Sequence, residues 1–120
     1  MSRVEGKSLD SPDETRPFQA HGHVDLVNLE TGPIGRGVFE PGWRWSEDVK
    51  PIAGTDSCQV EHVGYVLSGR MVVRMDDGSE HECAPGEAFR IPPGHDAWTV
   101  GDEPCVMIDV GGMKGYAAGG

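Results

Sequence analysis

The stretch GYVLSGRMVVRMDDGSEHECAPGEAFRIPPGHDAW, residues 64–98, decides the fold. Its apolar residues fall in short alternating runs. Met71, Val73 and Met75 lie on one side of a strand reading, Arg70 and Arg74 on the other. Between the runs stand Ser68-Gly69, Asp77-Gly78, Ala84-Pro85-Gly86 and Pro92-Pro93-Gly94. Glycine after a short polar residue supplies the positive φ that tight hairpins need, and proline ends a ladder. The segment therefore reads as strands over 59–67, 70–75, 79–83 and 88–92, joined by tight turns.

The same rhythm extends outward. AWTV and CVMIDV, split by GDEP, give further strands. HVDLVNL at 23–29 and IGRGVFE at 34–40 flank a TGP turn. PGWRW at 41–45 follows, and SEDVKPIAGTD at 46–56 reads as a loop. No stretch carries three turns of helical periodicity. Short strands about every ten residues predict an all-β sandwich or barrel. The predicted organisation is a flexible polar arm over 1–17, one barrel domain over 18–110 and a flexible glycine-rich tail over 111–120.

The chain has 120 residues and a net charge of −10, with 18 glycines and 9 prolines. That length buries one core without disulfide staples. An acidic chain with no basic stripe argues against nucleic acid and against an anionic membrane face as partners. No run is long and apolar enough to span a bilayer, and the first residues lack the apolar stretch of a signal peptide, so the expected location is cytoplasmic. The three cysteines, Cys58, Cys83 and Cys105, form no CxxC pair and no disulfide framework.

Two motifs in the 56–98 stretch resemble the cupin superfamily of small double-stranded β-helix (jelly-roll) barrels. Gly86, Pro92 and Gly94 match the family's G-x5-P-x-G motif, and GYVLSGRM matches the strand–glycine end of its first motif, closing at Gly69. The resemblance implies an all-β jelly-roll, a site in the barrel interior and a homodimer. The family's usual metal donors are three histidines and a glutamate. Counted from Gly69, the glutamate position holds His62, and the His-x-His positions hold Asp56 and Cys58 with a three-residue gap or Thr55 and Ser57 with a four-residue gap. The second-motif histidine position holds Ala97. The usual donor set is therefore absent in type.

The residues present still suggest chemistry. Asp56, Cys58 and His62 share one parity in an unbroken strand, and His95 shares parity with Ala97. Converging on the interior, Asp56, Cys58, His62 and His95 would suit one divalent transition metal. Thiolate with imidazole favours zinc, and imidazole with carboxylate suits iron, manganese or nickel. Each also has an ordinary reading: His62 as a hydrogen-bonded interior histidine, Cys58 as a small buried hydrophobe, Asp56 as a turn cap beside Gly54, His95 as a loop-tip residue. Glu61 has the opposite parity and faces solvent, and His81 in SEHE is expected to be exposed. Trp45 and Trp98, with Trp43, are candidates to line an apolar mouth around His62 and His95. Arg44 and Arg90 read as surface cations.

Two functions follow. One is a small-molecule-binding cupin, either metal-free, with His62 and His95 as hydrogen-bonding groups, or with a non-standard metal site. The other is a metal-dependent enzyme of oxygenase, isomerase or decarboxylase type. A purely structural domain is the third reading.

Overall fold

The structure, a computed structural model, describes residues 3–113, 116 and 117. The described strands are β1 (Glu14–Pro17), β2 (Gly22–Leu29), β3 (Gly32–Phe39), β4 (His62–Ser68), β5 (Arg70–Met75), β6 (Glu80–Cys83), β7 (Ala88–Ile91), β8 (His95–Val100) and β9 (Cys105–Asp109). They form a six-stranded antiparallel sheet, in the order β1-β2-β3-β9-β4-β7, facing a three-stranded one, β6-β5-β8. The core lies between the sheets.

Alternation decides what enters it. His62, Gly64 and Val66 of β4 point inward, as do Cys105, Met107 and Asp109 of β9 and His95 and Ala97 of β8. Val63, Tyr65 and Leu67 point outward and are 40%, 45% and 49% exposed.

The motif glycines have steric reasons. Gly69 turns from β4 into β5 at φ 73°, and a Cβ there would sit 2.2 Å from the Pro104 carbonyl oxygen. In the β5–β6 hairpin, Gly78 takes φ 91°, and the Asp77 carboxylate accepts the Ser79 N–H at 2.9 Å.

Three segments differ from the sequence reading. Glu14–Pro17, inside the expected arm, pairs with β2, and Thr15 Oγ1 donates to the buried Asp25 at 2.7 Å. An edge strand is held by its backbone on one side only, so it tolerates charge and proline and reads as polar coil. The loop at 46–56 contains two single helical turns, α1 (Trp45–Asp48) and α2 (Lys50–Ala53), too short to show a helical period. They bury Trp45 and Val49.

The third segment is the expected tail. Its described residues include Met113 and Tyr116, both 4% exposed. Arg16 Nη1 of β1 donates to the carbonyls of Met113 at 2.6 Å and Tyr116 at 2.8 Å. Gly35 of β3 makes room for the first of these, since a Cβ there would lie 2.3 Å from Met113 Cγ. Residues 114, 115 and 118–120 of that tail lie outside the described residues.

Candidate metal centre and cavity

β4 begins at His62, which places that side chain at the first inward position of the strand. Cys58 arrives by a different route. It forms an isolated bridge with His95, its N–H donating to the His95 carbonyl at 2.7 Å. Its carbonyl accepts the Gly94 N–H, also at 2.7 Å. The turn closed by Gly94 thus pins the start of β8 against the approach to β4. The result is one buried cluster: Cys58, His62 and His95 are 2%, 7% and 3% exposed, and one donor atom from each lies within 4.8 Å of the others.

Both imidazoles are held from behind. His62 Nδ1 meets Asp109 Oδ2 at 2.5 Å, and Asp109 Oδ1 accepts the N–H groups of Gly111 and Gly112 at 2.9 and 2.8 Å. A Cβ on Gly112 would fall 2.6 Å from His62 Nδ1, so that close approach requires glycine. His95 Nδ1 donates to the Pro92 carbonyl at 2.8 Å. Each ring therefore has Nδ1 engaged and Nε2 left over. His62 Nε2 lies 3.8 Å from Cys58 Sγ.

Charge is correspondingly polarised. Burial alone would raise the Cys58 thiol, but hydrogen bonds and charge from His62 and His95 outweigh it and bring its pKa to about 6. Burial would lower His62, but Asp109 and then Cys58 hold its proton and raise it to about 9. Away from the cluster the other thiols behave oppositely. Burial and the charge of Glu87 push Cys83 up to about 11, and burial pushes Cys105 to about 12.

A cavity of about 40 Å³ adjoins the cluster. That is space for one or a few water-sized groups. Its polar lining comes from His62, His95, Asp109 and Tyr116, and its apolar lining includes Trp43 and Trp45. Met71, Met107 and Met113, unbranched side chains that fill irregular gaps, also face it. The Tyr116 ring stands edge-on to His62, centroids 4.8 Å apart.

The structure thus brings together Cys58, His62, His95 and Trp45 but excludes two of the expected site residues. Asp56 is fully exposed, with its nearest cation, Lys50 Nζ, 3.9 Å away. The chain is not strand at that point: Thr55 Oγ1 donates to the Ser57 carbonyl at 2.7 Å, bending the backbone and ending the alternation. Trp98 faces out of the barrel, one residue off the inward Ala97, with the Arg44 guanidinium 4.4 Å over its ring. Glu61 points to solvent and pairs with Arg90 at 2.8 Å. The sequence reading missed Asp109 and Tyr116. Asp109 had a signal, an acidic residue in phase with the inward Cys105 and Met107. Tyr116, in a glycine-rich segment, had none.

The sequence model of the family described as Cupin domain matches residues 53–111. No curated protein matches the chain. Solved structures do. A protein of unknown function from Rhizobium leguminosarum bv. viciae aligns with TM-score 0.62 and 21% identity, over 92% of this chain and 97% of that one. The polyketide cyclase RemF from Streptomyces resistomycificus gives 0.60 and 21%, over 93% and 79%. A sugar phosphate isomerase from a cupin superfamily, from Silicibacter pomeroyi, gives 0.60 and 20%, over 90% and 75%. At these identities the likeness is one of fold.

Proposed function

We propose, from the match of residues 53–111 to the Cupin domain model and the shared fold, that the chain is a small-molecule-binding cupin. In this reading it holds one divalent metal ion through Cys58, His62 and His95 in place of the usual donors. The observation that carries it is the paired tether. Both histidines have Nδ1 engaged, one by a carboxylate and one by a backbone carbonyl, and His62 turns Nε2 toward a thiol of lowered pKa. Metal-binding histidines are oriented in this way. Thiolate with two imidazoles suits zinc first, and a three-residue donor set leaves one position for water or ligand, as catalytic sites do. Such an ion would supply Lewis-acid polarisation to a bound oxygen.

The chain's own residues supply the rest. His62 and His95 lie on the cavity wall, and Trp43, Trp45 and the methionines enclose an apolar guest. An enzymatic role, of oxygenase, isomerase or decarboxylase type, is the extension of this reading that the open position favours. The cluster also resembles a cysteine nucleophile with a histidine base and an orienting aspartate. Cys58, however, is 2% exposed and absent from the cavity wall, which denies a substrate carbon access to Sγ. For partners, we propose a second copy of the chain, since Val63, Tyr65 and Leu67 offer an outward apolar stripe. Light scattering at micromolar concentration tests it, and a monomer mass refutes it.

Metal content by inductively coupled plasma mass spectrometry tests the main reading, on tag-free protein loaded with zinc, iron, manganese or nickel and desalted. One equivalent of metal fewer in His62→Ala and in His95→Ala than in the parent is expected. No difference between parent and variants removes the metal site.

A further inference from the structure

We propose a second, independent metal site at a sheet edge, formed by His81 and Cys83 of β6 and Glu87 of the following turn, and suited to zinc. Its basis is geometric. His81 Nε2 lies 2.7 Å from Glu87 Oε1, and one donor atom from each of the three residues lies within 4.8 Å of the others. A surface His–Glu pair alone is unremarkable. The thiol inside the same small sphere turns the pair into a mixed sulfur, nitrogen and oxygen set of the kind zinc takes.

The local sequence produces this arrangement. In HECAPGE, His81 and Cys83 are two apart on a strand and so share a face. Their ladder partners on β5 are Val73 and Met71, both buried, so that face looks into the gap between the sheets. The turn is fixed rather than loose. Glu87 N–H donates to Ala84 at 3.1 Å, Gly86 N–H to Val66 at 2.9 Å, and Val66 N–H to Glu87 at 3.0 Å. Gly86 adopts φ 85°, which favours glycine. Glu87 is therefore presented to β6 by a backbone tied to β4, the preorganisation a metal site needs. The neighbouring acids have cations of their own: Glu80 pairs with Arg74 and Glu82 with Arg70.

Access and space are present. A cleft of about 170 Å³ opens beside His81 and Cys83, bounded by Val73, Met75, Phe89 and Ile91. It lies between β6 and β7, one edge strand from each sheet. The donors leave a fourth position to water. The Cys83 thiol gives up its proton to solvent when zinc binds, and Glu87 exchanges its hydrogen bond to His81 for the metal. The site ties the edge strand of one sheet to the turn entering the edge strand of the other. Its ligand is the ion itself, and its role is to hold that seam closed.

The test is independent of the first site. The full chain is prepared as His62→Ala, which removes a donor of the interior cluster, and titrated with zinc and with cobalt(II). Expected are one bound equivalent of zinc, a rise in melting temperature on zinc addition, and a cobalt–thiolate charge-transfer band. All three should be lost on adding His81→Ala, an exposed change that leaves the fold intact. Cys83→Ser should remove the charge-transfer band, and Glu87→Gln should weaken zinc binding about tenfold or more, at least the loss seen when a ligand's orienting partner is removed. The proposal is overturned if His62→Ala binds no zinc, or if adding His81→Ala changes neither stoichiometry nor melting temperature. Because the interior site is already disabled, neither result bears on it.

Discussion

Changing Asp109 to asparagine alters one atom behind His62 and should weaken metal binding without dismantling the fold. The orientation of the new amide is dictated by what surrounds it. Oδ1 accepts two backbone N–H groups, from Gly111 and Gly112 at 2.9 and 2.8 Å, so it stays the oxygen. The NH₂ then takes the place of Oδ2, against His62 Nδ1. A donor facing Nδ1 forces that nitrogen to accept, and the ring proton moves to Nε2. A protonated Nε2 cannot bind a metal. Losing the orienting partner of a ligating histidine costs about 10–100-fold in affinity, which corresponds to about 1.4–2.7 kcal/mol. Asp109→Asn should therefore fall at least that far below the parent in zinc competition against a chromophoric chelator, with a near-parental circular dichroism spectrum. Zinc binding as tight as the parent's would refute the argument that the carboxylate prepares His62 for a metal.

In metal-free protein, thiolate absorbance should titrate with a midpoint near 6 from Cys58 alone, because Cys83 and Cys105 are held at about 11 and 12. His62→Ala removes a hydrogen bond and a positive charge from the thiolate, so the midpoint should rise. Protein with no thiolate signal at neutral pH would contradict the polarised pair. Asp56→Ala should leave zinc affinity unchanged, since that carboxylate points into solvent, and a marked loss in the same chelator competition would put Asp56 back in the site. Gly69→Ala should lower stability by about 1–2 kcal/mol from its left-handed backbone alone. The contact with the Pro104 carbonyl adds to this. An unchanged denaturant midpoint would show the turn can relax.

Much of the barrel was legible because its constraints are local. Gly69, Gly86 and Gly94 occupy turns at positive φ, so their spacing records the geometry directly. Alternation placed His62 and His95 on the inside, and it would have excluded Trp98, which is out of phase with Ala97; Cys58 is inside through its separate bridge to His95. Alternation fails where a strand has not yet begun. Asp56 was placed by extending the β4 pattern backward across residues that bend. Long-range partners were hidden for another reason. Asp109 reaches His62 across 47 positions of sequence. Arg16 reaches Met113 across 97. No local period encodes such meetings, since they depend on which strands become neighbours. The β9–β4 pairing, which brings Asp109 to Gly64, creates the first.

The hold of Arg16 on Met113 and Tyr116 means that the two ends of this chain act as one part. Read as a sequence, residues 1–17 and 111–120 are margins, the natural places to trim, tag or fuse. In the folded molecule a guanidinium from one margin clips down the other, and the clipped residues wall the cavity beside His62. A chain cut to 18–110 would keep every donor of the interior cluster and yet leave it open to bulk water on that side. Additions or deletions at either end, more than 40 residues from Cys58, are thus changes to the surroundings of the buried Cys58–His62–His95 cluster.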